Sequence, residues 1–191
     1  MHVLPAEALS GAGHLVRRAV QVAGGHRPTP RDHRFAGSLL LPHELRLFSA
    51  AAPFDQAHGV AVARRVETEL GDDPRWLRAA LLHDAGKVRS SFGVVGRALV
   101  TVAAVAAPVA AAGLEERAVK ALSGHDLLDP VSMRLRPGAY LAHGPVAADW
   151  LERHGTEDEV AWWVAVHHRP ELWPESPMPS GCVRALAGAD E

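Results

Sequence analysis

The sequence predicts an all-α protein, and three observations support this prediction. No stretch alternates polar and apolar residues with a period of two, apolar residues recur at helical spacing, and Pro, Asp and Gly punctuate the chain where helices would begin or end. Of the 191 residues, 48% are hydrophobic, which is enough to bury a core without disulfide staples. We therefore expect a helical bundle.

The first half of the chain contains five predicted elements. Gly24 and its neighbouring glycine suit the end of a first helix, and Pro42 suits the first turn of the next. Asp55 is expected to cap a third helix, and Asp73 a fourth that has Pro74 at its first position. The predicted elements are a helix over 9–23, a loop over 27–37, and helices over 42–51, 55–70 and 74–84.

The second half contains an uncharged apolar segment, residues 98–114, between groups of polar residues. At about 17 residues it is at the lower limit for crossing a bilayer. A crossing would also separate the candidate metal ligands that precede it from those that follow it, which are described below. We therefore expect one buried or interfacial helix there; contact with a membrane is the less favoured alternative. Beyond it we predict a helix over 114–122, an irregular stretch over 124–138, a helix from Pro145 to 154, a Thr156-capped helix over 157–168, a loop over 170–181 and a helix over 182–189.

Composition narrows the classes of partner and compartment. The chain has 20 basic and 22 acidic residues and no basic stripe, which argues against a nucleic-acid duplex as partner. The single cysteine, Cys182, excludes an internal disulfide framework. The first ten residues lack the apolar core of a secretory signal. We expect a cytoplasmic protein, and the sequence leaves its oligomeric state open.

Seven His and Asp residues suggest a binuclear metal site. His83-Asp84 and His167-His168 each close a predicted helix, and adjacent helical residues differ by about 100° in direction, so each pair can address two neighbouring cations. Asp84 can bridge two cations, whereas an imidazole binds one. We expect one metal to be held by His58, His83, Asp84 and Asp190, and the other by Asp84, His143, His167 and His168. Mixed nitrogen and oxygen donors favour Mn, Fe, Zn, Ni or Co.

The run Leu-Leu-His-Asp-Ala-Gly-Lys at 81–87 resembles the signature of the HD-domain superfamily of metal-dependent phosphohydrolases. With the other predicted ligands, the resemblance covers about residues 40–191 and is strongest to the binuclear branch that includes the HD-GYP phosphodiesterases. It implies an HD-domain helical bundle over 38–191, with residues 1–37 as an appended helix and loop. It also implies that Lys87 contacts a substrate phosphate. No Gly-Tyr-Pro motif follows His168.

The function expected from this resemblance is metal-dependent hydrolysis of a small phosphate ester such as a nucleotide. Either a phosphomonoesterase or a phosphodiesterase would fit. Asp84 would bridge the cations and Lys87 would neutralise a phosphate oxygen, so these two are the expected catalytic residues. Two other classes stay open: a di-iron oxygenase of the same superfamily, and a non-catalytic module that senses a nucleotide.

Several other conspicuous residues have ordinary structural interpretations. The second His-Asp dipeptide, at 125–126, follows Gly124 and is expected to serve a loop or helix cap. Arg134 and Arg136 are either solvated or a phosphate clamp. We expect Trp162 in the core, Trp163 at the rim, and Cys182 as a small buried residue.

Overall fold

The computed structural model describes residues 27–190, which contain ten α-helices and two 3-10 helices and no β-strand. The all-α prediction is confirmed. The predicted helix over 9–23 lies outside the described residues. In chain order the helices are α1 (Pro30–Leu39), α2 (Pro42–Ala50), α3 (Pro53–Leu70), α4 (Pro74–Leu82), a 3-10 helix (Ala85–Ser90), α5 (Val94–Ala106), α6 (Pro108–Leu122), α7 (Arg136–Leu141), α8 (His143–Arg153), α9 (Asp158–Val166), a 3-10 helix (Pro170–Glu175) and α10 (Ser180–Asp190).

Helix α1 replaces the loop predicted over 27–37, so that prediction is wrong. Pro30 starts the helix, and Thr29 and Asp32 form a reciprocal capping box. This is a strong local start signal that outweighs the polar composition of the segment. Ala36 is fully buried, and the Arg64 guanidinium stacks 3.5 Å above the Phe35 ring. The expected domain boundary at 37/38 falls inside this helix.

Helices α3 and α4 pack together as one of the main pairs of the fold. Asp73 caps α4 by accepting a 3.0 Å hydrogen bond from the Arg75 backbone amide, as predicted. Asp55, in contrast, does not cap α3, because the helix begins earlier, at Pro53. The carboxylate of Asp55 instead pairs with the Arg97 guanidinium through two bonds of 2.6 and 2.8 Å.

The apolar segment 98–114 forms parts of two helices instead of the one buried or interfacial helix expected, and the expectation that it is buried is wrong. Pro108 cannot continue α5, so that helix ends before Ala107 and α6 begins at Pro108. The outer face is open to solvent: Val95 is 74% exposed and Val109 87%. Among the described residues no single helix is long and apolar enough to cross a membrane; the bent pair Pro74–Ser90 and Val94–Ala106 passes the length and composition test only when taken together.

The C-terminal helices differ from prediction mainly at their ends. Helix α8 begins at His143 instead of Pro145, and α7 occupies the end of the stretch predicted to be irregular. Helix α9 begins after Glu157, because the Thr156 hydroxyl donates to Glu44 instead of capping the helix. The loop after α9 contains a short 3-10 helix, and α10 runs longer than the predicted 182–189.

The core lies where α3, α4, α8, α9 and α10 meet. Trp163 is 2% exposed in the core and Trp162 lies at the rim, which reverses the predicted order, while the prediction that Cys182 is buried is confirmed. Each large apolar side chain buried here contributes about 1.5–3 kcal/mol relative to exposure. The largest fully buried side chains include Trp150, Trp163, Phe48, Leu47, Leu77 and Leu82. This packing fixes the ends of the helices that carry the predicted ligands.

Candidate metal centre

Five helices bring the seven predicted ligands to one region at the edge of the core. His58 comes from within α3, and His83 and Asp84 come from the end of α4. The remaining ligands lie at the start of α8, the end of α9 and the end of α10. Their donor atoms form two groups, and within each group the atoms lie within 4.8 Å of one another. The groups are Asp84, His143, His167 and His168, here called site 1, and His58, His83 and Asp190, here called site 2.

Site 1 is built around one oxygen of Asp84. Its Oδ1 lies 3.3 Å from His143 Nε2 and 3.6 Å from His167 Nε2. The two imidazole nitrogens are 3.4 Å from each other. His168 is exposed at the rim, with its ring centroid 5.4 Å from that of His143. Three imidazoles and a carboxylate oxygen therefore converge on one volume.

Site 2 is built around Asp190 and adjoins the other oxygen of Asp84. Asp190 Oδ1 lies 2.8 Å from His58 Nε2 and 3.4 Å from His83 Nε2. His83 Nε2 is 3.6 Å from Asp84 Oδ2. Asp84 thus presents Oδ1 to site 1 and Oδ2 to site 2, which is the arrangement needed to bridge two cations.

The spacing of the donor atoms fits coordination to metal ions. Ligand atoms at about 2.0–2.1 Å from one cation lie roughly 2.8–3.4 Å apart in octahedral or tetrahedral geometry. Within site 2 the Asp190 contacts, 2.8 and 3.4 Å, fall close to this range. Within site 1 the spacings run from 3.3 to 3.6 Å. Small side-chain adjustments would bring both sets into bonding range.

The backbone fixes the orientation of three imidazoles, as is usual for histidines that bind metals. Each ring donates from Nδ1 to the carbonyl three residues earlier, which leaves Nε2 as the atom that can bind a ligand once it carries no proton. The bonds join His83 to Ala80 (2.8 Å), His143 to Tyr140 (2.8 Å) and His167 to Val164 (3.0 Å). In the neutral rings of His143 and His167, the two Nε2 lone pairs then face each other and the Asp84 carboxylate. Acceptors repel one another in such an arrangement, and a cation would satisfy them.

Two buried polar atoms in the centre without hydrogen-bond partners also favour a metal site. Within residues 27–190, neither His83 Nε2 nor Asp84 Oδ1 has a hydrogen-bond partner. Leaving such an atom unsatisfied costs about 1–3 kcal/mol, more for a charged group. Both atoms belong to the two groups of donors or adjoin them, and a cation bound there would remove this cost.

The local electrostatics keep the site 1 ligands in their metal-binding protonation states. Burial lowers the pKa of His143 and of His167 to about 4, against the opposing attraction of Asp84, so both rings are neutral near pH 7. Burial raises the pKa of Asp84, but Lys87 and His83 outweigh it and hold that pKa well below its usual value. In site 2, burial lowers the pKa of His83, but the carboxylates of Asp84 and Asp190 outweigh it and raise that pKa to about 9. A cation entering site 2 must therefore displace a proton.

Three glycines next to the ligands set the helix spacing, and sequence reasoning missed this role. A Cβ on Gly86 would lie 2.1 Å from the His143 carbonyl oxygen. On Gly144 it would lie 2.7 Å from the Val164 carbonyl oxygen, and on Gly59 2.9 Å from that of Leu81. Each glycine follows a predicted ligand by one or two residues, which is the signal that could have identified them. Larger residues there would force the ligand-bearing helices apart.

Lys87 faces the bridging carboxylate. Its Nζ donates to Asp84 Oδ2 at 2.5 Å, and the side chain is 14% exposed. Burial lowers the pKa of Lys87, but the carboxylates of Asp84 and Asp55 outweigh it and raise that pKa, so the ammonium stays charged.

The remaining polar residues of interest lie outside the two sites. Asp126 accepts from the Leu128 amide at 3.0 Å and from Arg46 at 2.9 Å, which confirms its predicted loop role. Arg134 is exposed and Arg136 half-buried.

Comparison of the chain with protein-family models, with curated proteins and with solved structures found no match.

Proposed function

We propose that the protein is an HD-domain metal-dependent phosphohydrolase with two divalent cations. The observation that carries the proposal is the position of Asp84, whose two oxygens face two separate groups of donors. Five imidazoles and two carboxylates make up these groups, and such mixed donors suit Mn, Fe, Zn, Ni or Co. The resemblance of residues 81–87 to the HD signature supports the same reaction class.

When bound, two cations in such a site stabilise the attacking and leaving oxygens of an in-line displacement and lower the pKa of a water molecule. Asp84 would keep the two positions at a fixed separation, because its carboxylate joins them. Lys87 lies beside that carboxylate and is charged, so it can neutralise an oxygen of a phosphate entering from the rim. The neutral rings of His143 and His167 would hold their position because the backbone bonds at Nδ1 fix their orientation.

The proposed substrate is a small phosphate ester such as a nucleotide, cleaved as a monoester or a diester. His168, at the exposed edge of site 1, marks the side from which a substrate can approach. We further propose that the reaction takes place in the cytoplasm.

Metal analysis with a substrate screen tests this function, and the chain offers a matched control. His83→Ala should lower the bound metal from two cations to one and abolish turnover of phosphomonoester or phosphodiester substrates. His125→Ala alters the other His-Asp dipeptide, which lies in an exposed loop, and should leave both at the wild-type level. A His83→Ala protein that folds and retains its full metal content by elemental analysis would refute the proposal.

A di-iron oxygenase is the second candidate, because the same nitrogen and oxygen donors also suit iron. An anaerobic assay separates the two reactions, since phosphoester hydrolysis needs no oxygen. A non-catalytic sensor would bind nucleotide stoichiometrically without turnover in the metal-replete protein.

A further inference from the structure

Lys87 contacts only one side of the bridging carboxylate, and this makes the two metal sites unequal. We propose that site 1 takes up its cation first, and that a cation enters site 2 only when the Lys87 ammonium leaves Asp84 Oδ2. The same exchange releases Lys87 for the phosphate of the substrate. This inference rests on the proposed function and deepens it, because it makes site 2 a switch for catalytic competence.

The conflict between Lys87 and a cation at site 2 follows from distances. Lys87 Nζ lies 2.5 Å from Asp84 Oδ2. A cation bound to the same oxygen would lie about 2.0–2.2 Å from it, so the two positive charges would be no more than about 4.7 Å apart at any angle. At that separation, in a buried site, like charges repel strongly. The lysine and the second cation therefore compete for Oδ2.

Site 1 meets no such competitor. Among the described residues, Asp84 Oδ1 has no hydrogen-bond partner and is buried. His143 and His167 direct their Nε2 atoms to it from 3.3 and 3.6 Å, and both residues are buried. A cation arriving here gains three or four donors without breaking a bond.

Two of the ligands of site 2 are also bonded to each other. The side chains of His58 and Asp190 are 25% and 24% exposed and are joined by a 2.8 Å bond. A cation must replace that bond as well as the Lys87 contact. Both differences lower the affinity of site 2 relative to site 1.

A released Lys87 would have few alternative anions nearby. Asp55 is the next carboxylate that acts on it, after Asp84. Asp55 is already engaged by Arg97 through two bonds of 2.6 and 2.8 Å. An entering phosphate is therefore the natural new partner of the ammonium.

Calorimetric titration of chelator-treated, full-length protein with Mn²⁺ tests the inference. The wild type should show two binding events whose dissociation constants differ by tenfold or more. Lys87→Met should tighten the second event at least tenfold and change the first by less than threefold. Lys120→Met removes the only other lysine of the chain, which is exposed on α6, and should change neither event.

The outcomes separate this inference from the function on which it rests. Two cations binding with equal affinity to the wild type would overturn the inference alone, as would a second event unchanged in Lys87→Met. Should the methionine variant fail to fold, Lys87→Gln provides the same neutral replacement and the same two outcomes. The absence of any binding event in the wild type would refute the metal-dependent function itself.

Discussion

Gly86→Ala is the sharpest test of how the fold builds the metal centre. The new Cβ would lie 2.1 Å from the His143 carbonyl oxygen and 2.8 Å from Ala147 Cβ. Ordinary contacts of this kind begin above 3 Å, so the 3-10 helix and α8 must separate by roughly 1 Å. The His143 carbonyl oxygen belongs to the backbone, so it cannot rotate away from the new Cβ.

The expected cost has two parts. Overpacking of a tight contact destabilises by about 1–3 kcal/mol, which lowers the melting temperature by roughly 2–12 °C for a chain of this size. The same displacement moves His143 away from Asp84, whose contact is 3.3 Å. Misplacing a ligand in this way should weaken metal binding by about 10- to 100-fold.

Thermal unfolding in chelator measures the first part, and calorimetry with Mn²⁺ the second. Gly37→Ala is the control, because Gly37 lies inside α1 with nothing within 4 Å of a new Cβ. It should be neutral or stabilise by up to about 1 kcal/mol. If Gly86→Ala has the melting temperature and the metal affinity of the wild type, the close approach of α8 does not shape the site.

Three further predictions concern charge. In metal-free protein the pKa values of His143 and His167 are about 4 in the folded state, against about 6.5 in the unfolded state. Each ring therefore makes the free energy of unfolding on the order of 3 kcal/mol larger above pH 6.5 than at a pH below 4. This contribution should fall away as the pH drops from 6.5 towards 4; denaturant titrations that show no decline in this window contradict it. Arg97→Met should cost about 3–5 kcal/mol by leaving Asp55 buried without its partner, and adding Asp55→Asn should recover much of that loss in the same titration. Asp190→Asn should reduce metal stoichiometry from two to one, and two retained cations by elemental analysis would argue against its role as a ligand.

Features that depend on neighbours along the chain could be predicted from the sequence. The start of α4 follows from Asp73 and Pro74, because a side-chain cap and a preset backbone angle act within one turn. The all-α class follows from apolar periodicity. The sequence also singled out the seven His and Asp side chains that the fold brings together, since His and Asp are residue types that bind metals.

How those parts meet depends on packing between distant segments of the chain. Asp55 pairs with Arg97, 42 residues away, although its local sequence suits a helix cap. The α5 surface is exposed, although its composition suits burial, because burial depends on which helices pack against it. The contact of Lys87 with one particular oxygen of Asp84 likewise depends on side-chain geometry. Local propensities act over a few residues, whereas packing and charge pairing join segments far apart in the chain, so no short window of sequence contains them.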